Sequence, residues 1–199
     1  EDFETLGINA LDNTDSTESA ISLINSVMDE LEFTQLDDAG ELQAVADAVI
    51  ALRATVVDGR EAANAISVEQ LTLLGVTGVD TDNLTAIQEI ITRDAAVDFH
   101  NAATIADLRL LAADTNAALE TLTAHRALDA DAANNPTERT YFEAGVADVD
   151  ATNLLAVNAQ IRLTDAEEDR NSLEDLEALV VAATMRCKRL KIMRLKMTH

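Results

Sequence analysis

Three ten-residue segments written to one pattern constrain this chain more than any other feature. They are FETLGINALD (Phe3–Asp12), LTLLGVTGVD (Leu71–Asp80) and YFEAGVADVD (Tyr141–Asp150). In each, a glycine is followed by a β-branched residue, two further residues, an apolar residue and Asp. The glycines are Gly7, Gly75 and Gly145, two nearly equal steps along the chain. A near-constant period of this kind marks a supersecondary unit used repeatedly.

Each segment is followed by apolar residues three and four apart, the spacing of one helical face. In the second unit these are Leu84, Ile87, Ile90 and Ile91; in the third, Leu154, Val157 and Ile161; in the first, after a longer link, Ile21, Ile24, Val27, Met28 and Leu31. A second periodic stretch comes next: Leu42, Val45, Val49, Leu52 in the first unit, Ile105, Leu108, Leu111, Leu119, Leu122 in the second, Leu173, Leu176, Leu179, Val180 in the third. Each of these opens with a helix-start signal, Asp38-x-x-Glu41, Thr104-x-x-Asp107 or Ser172-x-x-Asp175, at nearly the interval of the glycines. The first residue accepts an orphan backbone N–H, and the acid suits the positive end of the helix.

The segments ahead of Gly75 and Gly145 also read as helical. Ser67-Val68-Glu69-Gln70 has the form of a capping box, and Asn135-Pro136-Thr137-Glu138 places Asn at the cap, Pro at the first helical position and Glu at the third. Gly75 and Gly145 then stand where a helix ends in a left-handed residue. Every unit therefore reads as a short helix, a glycine turn, a second helix, a polar loop and a longer third helix. The expected fold is all-α: three tandem, diverged three-helix modules forming an elongated helical array. Residues 1–57 are the first repeat, with its first helix truncated to residues 1–6; 58–128 are the second, 129–184 the third, and 185–199 a basic tail not native to the fold. In the second repeat the helices are expected over 67–74, 81–94 and 105–127. DADAANNP (Asp129–Pro136) is the clearest linker, and Val57-Asp58-Gly59 the other break.

The tail differs in chemistry from everything before it. Arg186, Lys188, Arg189, Lys191, Arg194 and Lys196 stand there without an acid, alongside Cys187, the one cysteine of the 199 residues. Residues 1–184 hold 8 Arg against 37 acids and no Lys, which leaves a net charge of −29. The break reads as out-of-frame or fusion-derived sequence. Two alternatives stand beside that: a basic helix lying on a membrane or partner, or an extension of the last helix packed on acidic neighbours. The overall charge of −23 disfavours nucleic-acid binding. No apolar run approaches the ~18 residues of a membrane span, and a single Cys rules out an intrachain disulfide framework.

Catalytic signals are thin. His100, His125 and His199 form no helical metal pair, and neither a nucleophile elbow nor a phosphate loop occurs. His100 reads as a loop residue and His125 as a favourable charge near a helix end. No catalytic, cofactor or metal residue is assigned, and the chain is read as a non-enzyme. Asp12-Asn13-Thr14-Asp15, Asp80-Thr81-Asp82-Asn83 and Asp129-Ala130-Asp131 look like fragments of calcium loops. They lack the central Gly and the bidentate Glu of such loops, so they read as helix caps and solvated turns, with weak calcium binding as the alternative.

At LTLLGVTGVDTDNLTAI (Leu71–Ile87) the sequence resembles the helical tandem repeats of very large bacterial surface adhesins, often described as GA-like modules. The related albumin-binding module of Gram-positive surface proteins has a comparable apolar-Gly-Val turn, but it is shorter and rich in Lys, so no binding residue is carried over. The resemblance implies an exported, extracellular segment on a bacterial cell surface, cut from a longer chain, that spaces or displays other domains. Its partners would be adjacent repeats of the parent chain and a host or neighbouring-cell protein. The second expectation is that the modules bind such a protein through an exposed apolar patch around a second helix.

Overall fold

In the computed structural model, residues 27–29, 39–95, 105–126, 135–163 and 172–196 are described. Those residues are helical or in turns, with no strand among them, and the fold is all-α. The helices are α1 (Ala39–Asp58), α2 (Val68–Leu73), α3 (Leu84–Ala95), α4 (Ile105–Arg126), α5 (Glu138–Glu143), α6 (Leu154–Arg162) and α7 (Leu173–Lys196). Residues 27–29 are also helical. The chain divides into two compact units, residues 1–113 and 114–199, and the division falls inside α4.

In the first unit, α1 packs against α2 and α3. Its buried Val45, Val49 and Leu52 meet Leu71 and Leu74 of the α2 segment, Ile87 and Ile91 of α3, and Ile105 and Leu108 of α4 in one apolar core. The helix expected to close the first repeat thus shares a core with helices assigned to the second. Val27 is buried in that core, whereas Met28, expected on the same apolar face, is 39% exposed.

In the second unit, Ala118 and Leu122 of α4 join Tyr141, Val146, Val157, Ile161, Leu173, Leu176 and Val180 in a separate core. The contact between α6 and α7 is the largest part of this packing. Toward the C-terminus, α7 continues as unbroken helix to Lys196, well beyond its last core residue, Ala183.

The short helices begin and end by the same chemistry. The Ser67 hydroxyl accepts the Gln70 N–H at 3.2 Å while the Gln70 side chain accepts the Ser67 N–H at 3.0 Å. In α5 the cap is Thr137, not Asn135: its hydroxyl accepts the Thr140 N–H at 3.2 Å, and the Thr140 hydroxyl accepts the Thr137 N–H at 3.1 Å. Pro136 lies just outside the helix, because its carbonyl is engaged by the Asn158 side chain at 2.9 Å and cannot turn into the first helical turn. Both helices end in paired 5→2 and 6→1 bonds. Gly75 and Val76 donate to Thr72 and Leu71, and Gly145 and Val146 to Phe142 and Tyr141. The glycines sit at φ 78° and 79°, where an L side chain is strained. The cap expected at the start of the last long helix is present too, with Ser172 Oγ 3.2 Å from the Asp175 N–H. Asp38 and Thr104 lie outside the described residues.

Candidate functional site

Among the described residues, polar groups gather in the turns that follow Gly75 and Gly145 and in a buried cluster in each unit. In the first turn, Asp80 Oδ1 accepts the N–H groups of Asp82 (2.9 Å) and Asn83 (3.1 Å). Asn83 Oδ1 accepts the Asp80 N–H at 2.9 Å, and its Nδ2 donates to the Gly78 carbonyl at 2.8 Å. The second turn repeats this at Asp150, Thr152, Asn153 and Asp148, with distances of 2.7–2.9 Å. The acidic turn that resembles a calcium-loop fragment therefore aims one oxygen of its carboxylate at its own backbone as a cap. Asp12–Asp15 and Asp129–Asp131 lie outside the described residues. Among the described residues no group of three or more His, Cys, Asp or Glu could hold a metal ion.

The buried cluster of the second unit centres on Asn158 of α6. Its Oδ1 accepts the Tyr141 hydroxyl proton and its Nδ2 donates to the Pro136 carbonyl. The Asn158 carbonyl lies 3.3 Å from His125 Nε2. His125 is not a solvent-facing charge at a helix end: it is 1% exposed, and its Nδ1 has no hydrogen-bond partner among the described residues. Burial holds its pKa below the ordinary 6.5; the Asn158 carbonyl opposes the shift and the Arg162 charge adds to it. The imidazole is thus kept neutral at physiological pH, and no thiol, hydroxyl or carboxylate among the described residues is hydrogen-bonded to it as a nucleophile or orienting acid would be. His100 and His199 lie outside the described residues.

In the first unit the counterpart is Gln88 of α3, whose Nε2 donates to the Ile66 carbonyl at 2.7 Å. The Ile66 N–H donates to Thr55 Oγ1 at 2.7 Å, and the Thr55 hydroxyl donates in turn to the Ala51 carbonyl. Sequence reasoning missed both clusters. One signal was available: Gln88 and Asn158 each follow directly on a core position of an otherwise apolar face, one repeat apart.

A cavity of about 410 Å³ lies between the second turn and α7, lined by Asp148, Asp150, Thr152, Asn153, Thr184, Cys187 and Lys188. It brings Cys187 near two acids and a lysine. Arg186 reaches from α7 to Gln160 Oε1 at 2.8 Å. No helix among the described residues is long and apolar enough to cross a membrane.

These features define an all-α protein built on capped glycine turns and small buried polar clusters. No protein family matches the chain, and neither a curated protein nor a solved structure does.

Proposed function

We propose that the chain is a non-enzymatic spacer segment of tandem three-helix modules, from a large exported bacterial surface adhesin, that projects other domains away from the cell. One observation carries this reading: the same set of hydrogen bonds recurs one repeat further along the chain, always at the same offset. Ser67 and Thr137, Gly75 and Gly145, Asn83 and Asn153, and Gln88 and Asn158 each make corresponding bonds. Gly7 and Gly75 keep nearly the same interval in sequence, which extends the series to a third module. A lysine-free body of net charge −29 suits a saline exterior, where its self-repulsion is screened. Solution scattering tests the proposal. A spacer array gives a radius of gyration well above the about 16 Å of a single compact domain of this length. A value near that figure removes the spacer reading.

A second reading, that the modules bind a protein ligand, is favoured by α6. Leu155, in the first turn of the second helix of its module, is 84% exposed, and Leu163, the residue that ends that helix, is 77% exposed. The first unit has Thr85 and Arg93 at the matching positions. If α6 holds a ligand, capture of a serum or cell-surface protein by the intact chain is lost in L155D/L163D. Capture that survives those changes argues against this helix.

A further inference from the structure

One helix presents two seams. Toward its own unit α7 buries Leu173, Leu176, Val180 and Ala183, spaced by three and four. On the side away from that core Glu174, Ala178, Val181, Met185, Lys188 and Ile192 follow one another at alternating steps of four and three, with Lys188 also bordering the cavity beside the second turn. That is the a/d spacing of a coiled-coil seam. Val181, Met185 and Ile192 are 51%, 58% and 55% exposed, so its apolar part is open to solvent. The charge along the same helix is strongly polarised. Glu174, Asp175 and Glu177 stand at its start, while Arg186, Lys188, Arg189, Lys191, Arg194 and Lys196 fill its second half without an acid.

We propose that this seam is a homodimer interface in which α7 pairs antiparallel with α7 of a second copy of the chain. An antiparallel pair about a two-fold axis between Val181 and Met185 sets each Val181 opposite the other copy's Met185. It sets Ala178 opposite Lys188 and Glu174 opposite Ile192. The flanking positions that meet across such a pair are then 175 with 189 and 177 with 191, an acid against a base in both cases and at both ends. A parallel pair would stack acid on acid and base on base. The polarity of this one helix therefore makes it complementary to itself in only one direction. The basic stretch, foreign in composition to the rest of the chain, is in this arrangement the half that recognises the acidic start of the partner helix.

The test is analytical ultracentrifugation of the full chain in reducing buffer, so that Cys187 cannot cross-link. Salt is set at about 0.15 M, where a Debye length of ~8 Å screens the net repulsion between copies but not contacts within the seam. The wild type is expected to double its mass with rising concentration. Met185→Lys and the reversal R189E/K191E are expected to remain monomeric with unchanged helicity by circular dichroism. Adding D175K/E177K to R189E/K191E is expected to restore the dimer with its polarity inverted. A wild type that stays monomeric, or a dimer indifferent to Met185→Lys, overturns the proposal. So does a reversal that the second pair fails to rescue, since a basic tail resting on any acidic surface would behave that way. Binding of monomer to phosphatidylserine vesicles in place of self-association would assign the face to a membrane and overturn it as well.

Discussion

The two units solve the same packing problem with different polar residues, and the substitutions are coupled. In the first, the Ile66 N–H points inward and Thr55 supplies the acceptor. In the second, position 136 is proline, which has no N–H. The acceptor is then unnecessary, and the residue matching Thr55 is His125, buried at 1% exposure. Similarly, Leu71 becomes Tyr141, whose hydroxyl needs a partner once buried, and Asn158 in place of Gln88 accepts it. The backbone bond to position 66 or 136 survives in both units. A donor left without an acceptor in a core costs about 1–3 kcal/mol, enough to tie such positions together across 11 to 22 residues of sequence.

Four changes would break or sharpen this comparison. The largest is expected from Leu108→Ala in the first core, where loss of a fully buried leucine should cost about 2–5 kcal/mol by thermal or urea melts. A melt left unmoved would mean that α4 does not contribute to that core. Next is Tyr141→Phe, which strands the Asn158 amide oxygen and should cost about 1–3 kcal/mol. Leu71→Phe, its counterpart, strands nothing, so slowed or hastened amide exchange there reports shape alone.

Gly75→Ala comes third, at about 1–2 kcal/mol for a left-handed alanine. The new Cβ would also stand 2.6 Å from the Arg109 guanidinium, which must give way and slacken its 2.6 Å bond to the Gly75 carbonyl. Gly145→Ala shares the backbone strain, and a loss smaller than that of Gly75→Ala would isolate the arginine's share. The mildest perturbation is pH. Because His125 has its pKa lowered in the folded state, unfolded chains take up its proton first as pH falls below 6.5. Stability of the second unit is thus full above that value and declines as pH drops toward the folded pKa. The protection factors of α6 amides, which allow for the slower intrinsic exchange in acid, should fall between about pH 7 and pH 5, while α3, with Thr55 in the matching place, lacks this contribution.

Much of the framework was legible because it is local. Ser67 and Ser172 cap the turns that follow them, and Gly75 and Gly145 end their helices, through bonds spanning no more than five residues. The apolar face of α3 followed from spacing alone, with Ile87, Ile90 and Ile91 all buried. Local rules misplace the start of α5, because Asn-Pro is a good helix opening by itself; the competing demand on Pro136 comes from Asn158, 22 residues away. The left-handed turn residue before each Asp was also hidden, since Gly78 and Asp148 share that conformation at φ 77° and 61° without sharing a residue type.

The sequence by itself determined the all-α class, the punctuation of the helices and the interval between glycine turns, because capping and helical periodicity are settled within one or two turns of chain. Tertiary structure alone decided which helices share a core, why α1 docks on α3, and why a histidine can be buried where a threonine stands in the other unit. Those outcomes depend on which distant donor meets which acceptor once apolar faces close, and no local pattern records that encounter.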